Sequence, residues 1–528
     1  MTRPLLVRLD GSTALSRDIL GNKAFGINEM RRHDLPVPPA FCVTTAVCTE
    51  YLRAGPSVLD RIWSDVMAMM QWLEAETGRT FGAGPRPLLV SVRSGATQSM
   101  PGMLDTVLNL GFHGAVEESL ATSSGRAFAD DLGHRFTESY QRIVLGQNSD
   151  AVPADPRRQL RGAIEAVFAS WHSERAITYR RHHRLGDDGG TAVVVQAMVF
   201  GNLGADSGTG VLFSRNPSTG DSAPFGEWLR GGQGEDVVSG TSDVAPLSAL
   251  ASELPAVYEQ LLELGGVLER LRADPQDIEY TVESGRLWLL QTRSAKRSAH
   301  AAVRWALQLY DEGLITAAEA LGRVTSDHID TVLAPALQPE IRLAAPLLAR
   351  GLAAAPGVAT GRAYADVDDA IDAAEAGEEV ILVRAATSPD DIHGMIAAAG
   401  IVTETGGATS HAAVVSREIG RPTVVGCGPG VSDSIVGRLV TVDGDAGEVR
   451  DGILPMSAWS EDDHPDLRQL RALVMAHTVF RAHQRGDFPA LHDIDSTTVA
   501  EALASGHTEV VCSRPLVAML TAAQLNLA

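Results

Sequence analysis

The residues that could do chemistry are concentrated around one histidine, His411, where a glycine-bearing loop turns into a helix. Gly406 and Gly407 allow the backbone to approach a ligand closely. Thr409 and Ser410 are good helix N-cap residues. His411 would then lie in the first helical turn, where free N–H groups and the helix dipole favour a phosphate and disfavour the imidazolium. A neutral ring keeps a nitrogen free to attack phosphorus. The residues alone leave a second interpretation open, in which the histidine only caps or packs.

A second group of candidates combines oxygen ligands with a cation. The apolar runs 278–282 and 287–291 predict a β-hairpin around the turn at 284–285. The hairpin would bring together four polar side chains, Asp277, Glu279, Gln291 and Arg293. Mg²⁺ prefers one or two carboxylates together with nucleotide oxygens, and a guanidinium binds phosphate. A solvent-facing hairpin with an ion pair has the same pattern, so both interpretations stay open.

Two further cations occur where a phosphate could reach them. Lys23 follows the pair 21–22 in a predicted tight turn, where a lysine acts as a point charge for phosphate, although most lysines are solvated. Arg93 ends the apolar run 87–93, and buried strands rarely end in arginine without an anionic partner. The small residues and the Pro-Gly pair of 94–103 predict a mobile flap.

The elements that must position these residues follow an α/β pattern. A chain of 528 residues is too long for one ordinary core and predicts several domains. The first part alternates strands and helices, and a helical connector and a compact α/β unit follow. The predicted elements are a strand at 192–200, a strand that begins in 208–217, a connector at 298–348, strands at 379–384, 400–403, 423–425 and 439–442, a helix at 466–484 and a strand at 508–512.

The composition is that of a globular protein with an acidic surface. Apolar residues make up 45% of the chain and charged residues 21%, and the formal net charge is −22. This charge argues against a nucleic-acid scaffold, and no run approaches the ~18 apolar residues of a membrane span. The first residues lack a secretory apolar segment, and the cysteines form no close CxxC pair. We therefore expect a cytoplasmic protein with no nucleic-acid or membrane partner.

Many separate segments together resemble the pyruvate phosphate dikinase family. They occur in the family's order from about residue 8 to about residue 450, which makes the resemblance specific. It favours the nucleophile interpretation of His411. The matching segments are 21–30, 35–39, 91–96, 99–103, 105–109, 196–202, 207–220, 233–238, 277–279, 290–293 and the histidine segment 403–415.

The resemblance implies an α/β multidomain fold. An ATP-grasp-type nucleotide-binding domain is expected at 1–297 and a helical connector at 298–350. A swivelling β/β/α phosphohistidine domain is expected at 351–452, followed by a linker and a short, mainly helical segment at 453–528. Because one histidine cannot serve two separate sites without moving, the segments near 295–351 and 452–465 are the predicted hinges.

The resemblance also implies an ATP site in the first domain. Lys23, Arg93 and Arg293 would hold the triphosphate, and Glu279 and Gln291 are similar to the family's Mg²⁺ ligands. Three implied ATP contacts belong to the adenine-side strand, and they are Gln196, Met198 and Val199. Gly102 would belong to the flap over the phosphates, and Asp277 would be a nearby carboxylate.

In this family the histidine takes phosphate from ATP and AMP leaves. His411 would attack the β-phosphate, with Arg93 and Arg293 neutralising the developing charge, to give a pyrophosphoryl- and then a phospho-enzyme. The resemblance thus implies a dikinase-type, ATP- and Mg²⁺-dependent phosphotransferase. The implied phosphohistidine loop consists of Thr405, Gly406, Gly407, Thr409 and Ser410.

The chain departs from the family after about residue 455. The family continues with a barrel that binds pyruvate or phosphoenolpyruvate, and the remaining residues are too few for a (β/α)₈ barrel of ~250 residues. The acceptor could therefore be pyruvate on another chain, inorganic phosphate or a different small molecule. Two alternatives stay open: an ATP-binding regulatory protein that has lost catalysis, and a subunit that needs a separate acceptor-binding chain. Joint retention of Lys23, Arg93 and His411 argues against the regulatory protein.

Overall fold

The computed structural model describes residues 4–98, 100, 103–146, 151–182, 184–186, 190–238, 244–457, 460–462 and 464–527. No helix in these ranges combines the length and the apolar character that crossing a membrane requires. The α-helices are Arg17–Arg32, Thr45–Ala54, Ser57–Thr77, Gly114–Ser124, Arg126–Tyr140, Pro156–Ala169, Glu174–His182, Gly234–Val238, Leu247–Glu253, Pro255–Arg272, Ala299–Asp311, Ala317–Arg323, Ser326–Val332, Pro339–Ala344, Val367–Glu375, Ile392–Ala397, His411–Ile419, Val431–Ile435, Pro465–His477, Ser496–Ala504 and Pro515–Leu527.

The first sheet carries Arg93 and Gln196 on neighbouring strands. Its five antiparallel strands are, in spatial order, Leu6–Arg8, Ala40–Val43, Thr191–Ala197, Val90–Ala96 and Thr106–Leu110. The strand at Arg93 continues into the predicted flap, because Gly95 and Ala96 still pair with the neighbouring strand. The strand predicted at 192–200 ends earlier, at Ala197.

The second sheet contains the predicted hairpin, which the structure confirms. Its five antiparallel strands are Ala245–Pro246, Phe225–Arg230, Gly208–Phe213, Gln276–Glu283 and Arg286–Ser294. Across the hairpin, Asp277 lies opposite Arg293 and Glu279 lies opposite Gln291. The β-ladder itself therefore brings the four polar side chains together.

A break in the helix Arg17–Arg32 places Lys23 against the first sheet. Gly21 has φ +72° and ψ 163°, outside the helical region. A Cβ atom on Gly21 would lie 1.7 Å from the carbonyl oxygen of Gly95, so only glycine allows this approach. Lys23 packs on the same glycine, with 3.4 Å between its Cβ and an ideal Cβ built at Gly95. The sheets and helices up to residue 298 are called the N-terminal unit below.

The third sheet builds the domain that carries His411. Its eight strands are, in spatial order, Leu347–Arg350, Glu448–Asp451, Leu439–Asp443, Val358–Tyr364, Val380–Arg384, Gly400–Thr403, Thr423–Val425 and Leu352–Ala355. The four predicted strands of this region are confirmed. The two edge strands are consecutive in sequence and separated only by Gly351, so the sheet curls until its edges approach. Residues 347–451 are called the histidine domain, and His411–Ile419 is called the histidine helix.

The predicted helical connector is wrong at its C-terminal end. Leu347–Arg350 is an edge strand, because it pairs antiparallel with Glu448–Asp451 of the histidine domain. The predicted helix at 466–484 is also too long. It ends at His477, and Arg481–His483 then pairs in parallel with Glu509–Val511, which confirms a strand in the region predicted at 508–512.

The connector and the C-terminal segment share one apolar core. Val303 and Leu309 of the connector are buried with Leu470, Phe480 and Leu516 of the C-terminal segment. The C-terminal segment is therefore packed against the connector and does not extend from the molecule as a separate module. The helices of 299–332 and the segment 465–527 are called the helical unit.

Ion pairs fix the helical unit to the N-terminal unit. Arg215 Nη2 lies 2.5 Å from Glu312 Oε2, and Arg323 Nη1 lies 3.5 Å from Asp274 Oδ1. The Arg215 side chain is 5% exposed and that of Glu312 is 43% exposed, so this pair is only partly shielded from solvent. These contacts hold the connector helix Ala299–Asp311 in place. We therefore propose that the first hinge is narrower than predicted, at about 333–346; residues 458, 459 and 463 of the second predicted hinge lie outside the described residues.

A substitution in the C-terminal segment should loosen the connector. Leu516 is fully buried in the shared core. Leu516→Ala should destabilise the helical unit by about 2–5 kcal/mol because it leaves a cavity. Hydrogen exchange should then show reduced amide protection in Ala299–Asp311. Leu525→Ala, at an exposed position, is the matched control. Unchanged protection in the connector of Leu516→Ala would contradict a shared core.

Candidate active site

One cavity of about 640 Å³ is lined by both large sheets of the N-terminal unit and by the histidine helix. This volume lies in the range of small-molecule and cofactor sites. Most of the predicted site residues line it, and they come from the two halves of the molecule. They are Lys23, Arg93, Gln196, Met198, Val199, Glu279, Gln291, Arg293, Thr409 and His411.

The remaining predicted residues support the cavity wall or lie elsewhere. Asp277 is buried behind the wall and is bonded to Arg293. Ser410 is the N-cap of the histidine helix, and its Oγ accepts a hydrogen bond from the N–H of Ala413 at 3.4 Å. Gly102 lies outside the described residues. Three residues of the predicted phosphohistidine loop do not line the cavity, and they are Thr405, Gly406 and Gly407.

Arg93 is the centre of a hydrogen-bonded cluster that joins the two sheets. Its Nη2 donates to Glu279 Oε2 at 2.8 Å and to Gln291 Oε1 at 3.3 Å. Its Nη1 donates to Gln196 Oε1 at 3.4 Å. The Gln291 amide also donates to Glu279 Oε1. The solvent-facing interpretation of the hairpin is therefore wrong, since these polar groups face one another inside a cavity.

A buried ion pair lies beside this cluster. Arg293 Nε donates to Asp277 Oδ2 at 2.7 Å, and the Asp277 side chain is 1% exposed. In the described part of the chain, Asp277 Oδ1 has no hydrogen-bond partner. Burial raises the pKa of Asp277, although Arg293 opposes this effect. The pair thus places a guanidinium at the cavity wall and a carboxylate behind it.

The cluster carries more positive than negative charge when Lys23 is protonated. Burial in the cavity wall, and then the nearby Arg93, lower the pKa of Lys23 to about 7. Burial tends to raise the pKa of Glu279, but Arg93, Arg293 and Lys23 together lower it. Glu279 is therefore ionised at neutral pH. Three cations against the carboxylates of Glu279 and Asp277 suit a polyphosphate ligand.

The oxygen atoms of this cluster fit a magnesium ion that arrives with a nucleotide. Glu279 offers a carboxylate and Gln291 offers an amide oxygen, and the two residues are paired across the hairpin. Mg²⁺ typically takes one or two carboxylates and completes its octahedron with phosphate oxygens and water. No group of three or more His, Cys, Asp or Glu side chains within the described ranges could hold a metal ion by itself. The donor set therefore fits Mg²⁺ only together with phosphate oxygens and water.

His411 is the first residue of its helix and is 8% exposed. Its Nδ1 lies 3.3 Å from Thr387 Oγ1. Its Nε2 is buried and has no hydrogen-bond partner among the described residues. Burial lowers the pKa of His411 to about 4, and the nearby carboxylate of Asp391 partly offsets this effect. The imidazole is therefore neutral at physiological pH, with one nitrogen fixed and the other available.

Sequence reasoning missed Thr387 and Glu227. Glu227 lies on the strand Phe225–Arg230 of the N-terminal unit, and its carboxylate accepts hydrogen bonds from the loop before His411. Oε1 accepts from the N–H of Ala408 at 2.5 Å, and Oε2 accepts from the N–H and hydroxyl of Thr409. Burial raises the pKa of Glu227, and these hydrogen bonds oppose that effect. A carboxylate thus binds the N–H groups of the loop just before the N-cap Ser410.

These observations define a protein in which an ATP-grasp-type nucleotide-binding unit faces a domain with a buried, neutral histidine. Residues 56–253 match the family model for the pyruvate phosphate dikinase AMP/ATP-binding domain. Residues 376–447 match the model for the mobile domain of PEP-utilising enzymes. The chain belongs to the pyruvate phosphate dikinase family, and the predicted fold class is confirmed.

Several curated pyruvate, phosphate dikinases are similar to this chain. The protein of Clostridium symbiosum is 42% identical over 466 residues, which cover 80% of this chain and 53% of the relative. The protein of Rhizobium meliloti (strain 1021) is 41% identical over 512 residues, covering 84% and 57%. The chloroplastic dikinase 1 of Zea mays is 38% identical over 530 residues, covering 88% and 55%. The chain spans about half the length of these relatives. Because one relative is chloroplastic, a cytoplasmic location stays a prediction.

The protonation of His411 can be measured directly. In protein labelled with ¹³C and ¹⁵N in histidine, the His411 ring should titrate with a midpoint of about 4, assigned by its absence in His411→Asn. In urea-unfolded protein the midpoint should return to about 6.5. Because the unfolded state binds the proton more tightly, this group reduces stability as the pH falls from about 6.5 to about 4. A midpoint near 6.5 in the folded protein would contradict the buried, neutral ring.

The contact between Glu227 and the histidine loop predicts a non-additive pair of substitutions. A Cβ atom at Gly407 would lie 2.0 Å from Glu227 Oε1. Gly407→Ala should therefore displace the loop and increase hydrogen exchange in the histidine helix. In a Glu227→Ala background the clash is removed, so Gly407→Ala should have little further effect. If the two effects simply add, the loop and the carboxylate do not make this contact in solution.

Proposed function

We propose that this chain is an ATP-dependent phosphotransferase that moves the β-phosphate of ATP to Nε2 of His411, releases AMP and passes the phosphoryl group to an acceptor. The observation that carries this proposal is a single cavity. It contains a cluster of cations and oxygen ligands suited to a nucleotide polyphosphate, and it also contains a neutral histidine whose Nε2 has no partner among the described residues.

The proposed step is an in-line displacement at the β-phosphorus. Nε2 of His411 forms a bond to phosphorus, the bond from phosphorus to the oxygen shared with the α-phosphate breaks, and AMP leaves. The ring needs no deprotonation beforehand, because burial keeps it neutral. The pyrophosphorylated histidine then gives its terminal phosphoryl group to water or inorganic phosphate, leaving a phosphohistidine.

The charged side chains of the cavity have separate tasks in this step. Lys23, Arg93 and Arg293 would bind the phosphate oxygens and stabilise the charge that builds up during transfer. Glu279 and Gln291 would hold Mg²⁺ when the nucleotide is bound, and the ion would neutralise phosphate charge. Arg93 donates to the Glu279 and Gln291 oxygens that would hold the ion, so these hydrogen bonds would rearrange when Mg²⁺ and the nucleotide bind.

Thr387 would fix the reactive tautomer of His411. Its hydroxyl is within hydrogen-bond distance of Nδ1, at 3.3 Å. If the Nδ1–H donates to this oxygen, the lone pair of the ring lies on Nε2, which is the nitrogen that faces no protein partner. The same hydrogen bond would strengthen as positive charge develops on the ring during attack. Thr387 is thus proposed as a positioning residue for the nucleophile.

The acceptor is proposed by chemical class only. His411 is enclosed by the N-terminal unit, so transfer to a second site requires the histidine domain to leave this cavity. We propose that it moves about the segment 333–346 and the second predicted hinge near 452–465. The acceptor is pyruvate, inorganic phosphate or another small molecule, and pyruvate in particular would be held by a separate acceptor-binding protein. We propose domain boundaries near residue 298, after the N-terminal unit, and near residue 346, before the histidine domain.

Labelled ATP tests the proposal. Protein incubated with Mg²⁺ and [β-³²P]ATP should acquire an acid-labile, base-stable label and release AMP, because a phosphoramidate is stable only in base. The label should disappear in His411→Asn and form more slowly in Thr387→Val. ATP binding should be retained in both variants.

The outcomes separate the alternatives. A folded protein that binds ATP but never becomes labelled contradicts the proposal and favours a regulatory ATP-binding protein. A label that persists in His411→Asn contradicts the assignment of the nucleophile. Adding pyruvate to labelled protein tests the acceptor: phosphoenolpyruvate formed by the pure chain would show that no second chain is needed.

A further inference from the structure

We infer that Arg417 and Glu418, near the C-terminal end of the histidine helix, are positioning residues that dock the histidine domain on the nucleotide site. They face charged partners on the N-terminal unit, namely the pair Asp277–Arg293 and the side chain of Lys296. This inference rests on the proposed function, because docking has a role only if His411 works at that site.

Glu418 makes direct contacts across the interface. Its Oε1 accepts hydrogen bonds from Lys296 Nζ at 2.5 Å and from the hydroxyl of Tyr179 at 2.6 Å. The Glu418 side chain is 9% exposed and that of Lys296 is 29% exposed, so the pair is partly shielded from solvent. Lys296 follows the hairpin strand that carries Arg293, so this contact ties the helix to the wall of the nucleotide site.

Arg417 extends the contact to the histidine loop. It is 3% exposed, and its guanidinium donates to the carbonyl oxygens of Ala354 at 3.0 Å and Ala408 at 2.9 Å. The second acceptor lies in the loop before His411. The guanidinium also lies 5.6 Å from the ring centroid of Phe213, on the second sheet of the N-terminal unit. Arg417 therefore links the histidine loop to the surface on which it docks.

The charges on the two sides of the interface are complementary. Arg417 lowers the pKa of Asp277, and Glu418 raises the pKa of Arg293, so each helix residue stabilises the charged form of the group opposite. Burial lowers the pKa of Arg417 itself to about 10, although the carboxylates of Asp277 and Glu227 oppose this effect. A buried charge without a partner is strongly unfavourable. The docked arrangement therefore favours the charged forms of both partners of the pair Asp277–Arg293.

Two anchors at opposite ends fix the direction of the histidine helix. Glu227 holds the loop at the N-terminal end, and Lys296 holds Glu418 near the C-terminal end. A helix of nine residues is about 13 Å long, so the two anchors lie well apart. A single anchor would leave the imidazole free to rotate about it. With both anchors, Nε2 keeps one position relative to Arg93 and Arg293.

Charge reversal tests the second anchor. Glu418→Gln and Lys296→Glu should each slow the first-order labelling of His411 by [β-³²P]ATP by about 10- to 100-fold, because misplacement of about 1 Å costs that much. The Kd of ATP should change little. The double variant Lys296→Glu, Glu418→Lys restores opposite charges and should recover most of the rate. Asp372→Asn, at an exposed position of the histidine domain, is the matched control.

A distance measurement gives a second readout that does not depend on activity. Spin labels at Arg157→Cys and Glu375→Cys, both exposed, report the separation of the two domains. The described native cysteines are buried or half-buried, which limits unwanted labelling. The distance distribution should be narrow in the unsubstituted background, broad in Glu418→Gln and narrow again in the charge-reversed double variant.

Each outcome has a defined meaning. Unchanged labelling rate and unchanged distances in Glu418→Gln would overturn the inference, even if His411 is phosphorylated normally. A slow double variant with broad distances would also overturn it, because restored charge would not have restored docking. If the unsubstituted protein is never labelled, the proposed function fails, whereas the distance measurement still decides whether Glu418 docks the domain.

Discussion

The functional geometry depends on a carboxylate, Glu279, that stays ionised among buried cations. Burial alone would favour its protonated form, but Arg93, Arg293 and Lys23 reverse that preference. Without this charge, the repulsion of Lys23 by Arg93 and Arg293 would not be offset by Glu279. The β-ladder of the hairpin maintains the arrangement, because Glu279 and Gln291 lie opposite each other and one guanidinium from the other sheet bonds to both. Strand register, rather than loop conformation, thus sets the spacing of the charged groups.

The N-terminal unit and the histidine domain meet through both apolar and polar contacts. An apolar cluster crosses the interface: Met103 and Trp171 of the N-terminal unit are buried together with Ile392 and Met395 of the histidine domain. Around it lie specific polar contacts, including Arg175 Nη1 with Asp390 Oδ1 at 3.3 Å. Polar contacts of this kind select one orientation among the many that an apolar surface permits. The interface therefore combines non-directional attraction with a small number of directional constraints, which suits a contact that is made and released.

Much of the fold could be predicted from the sequence, since the strands carry strong apolar runs and the hairpin turn has a clear signal. The pairing of Glu279 with Gln291 followed from local patterns, whereas Lys23 lies in a helix that is broken at Gly21 and not in the predicted tight turn. Thr387 and Glu227 could not be found in this way. Thr387 meets His411 across 24 positions of sequence and Glu227 meets Thr409 across 182, and both contacts exist only because of tertiary packing. The end of the helix at His477 was also not predicted. The residues after it are apolar enough for a helix, but Arg481–His483 pairs with the distant strand Glu509–Val511.

The curled eight-stranded sheet of the histidine domain has a consequence for solubility. Its outermost strands, Leu347–Arg350 and Leu352–Ala355, have only four residues each and are joined through Gly351. Free sheet edges are templates on which other chains can add strands and aggregate. In the proposed cycle this domain repeatedly leaves the surface that covers it, when such edges would be most exposed. Because these edge strands are short and joined to each other, they offer few backbone groups for pairing with another chain. The proposed movement of the domain would therefore expose little edge on which aggregation could begin.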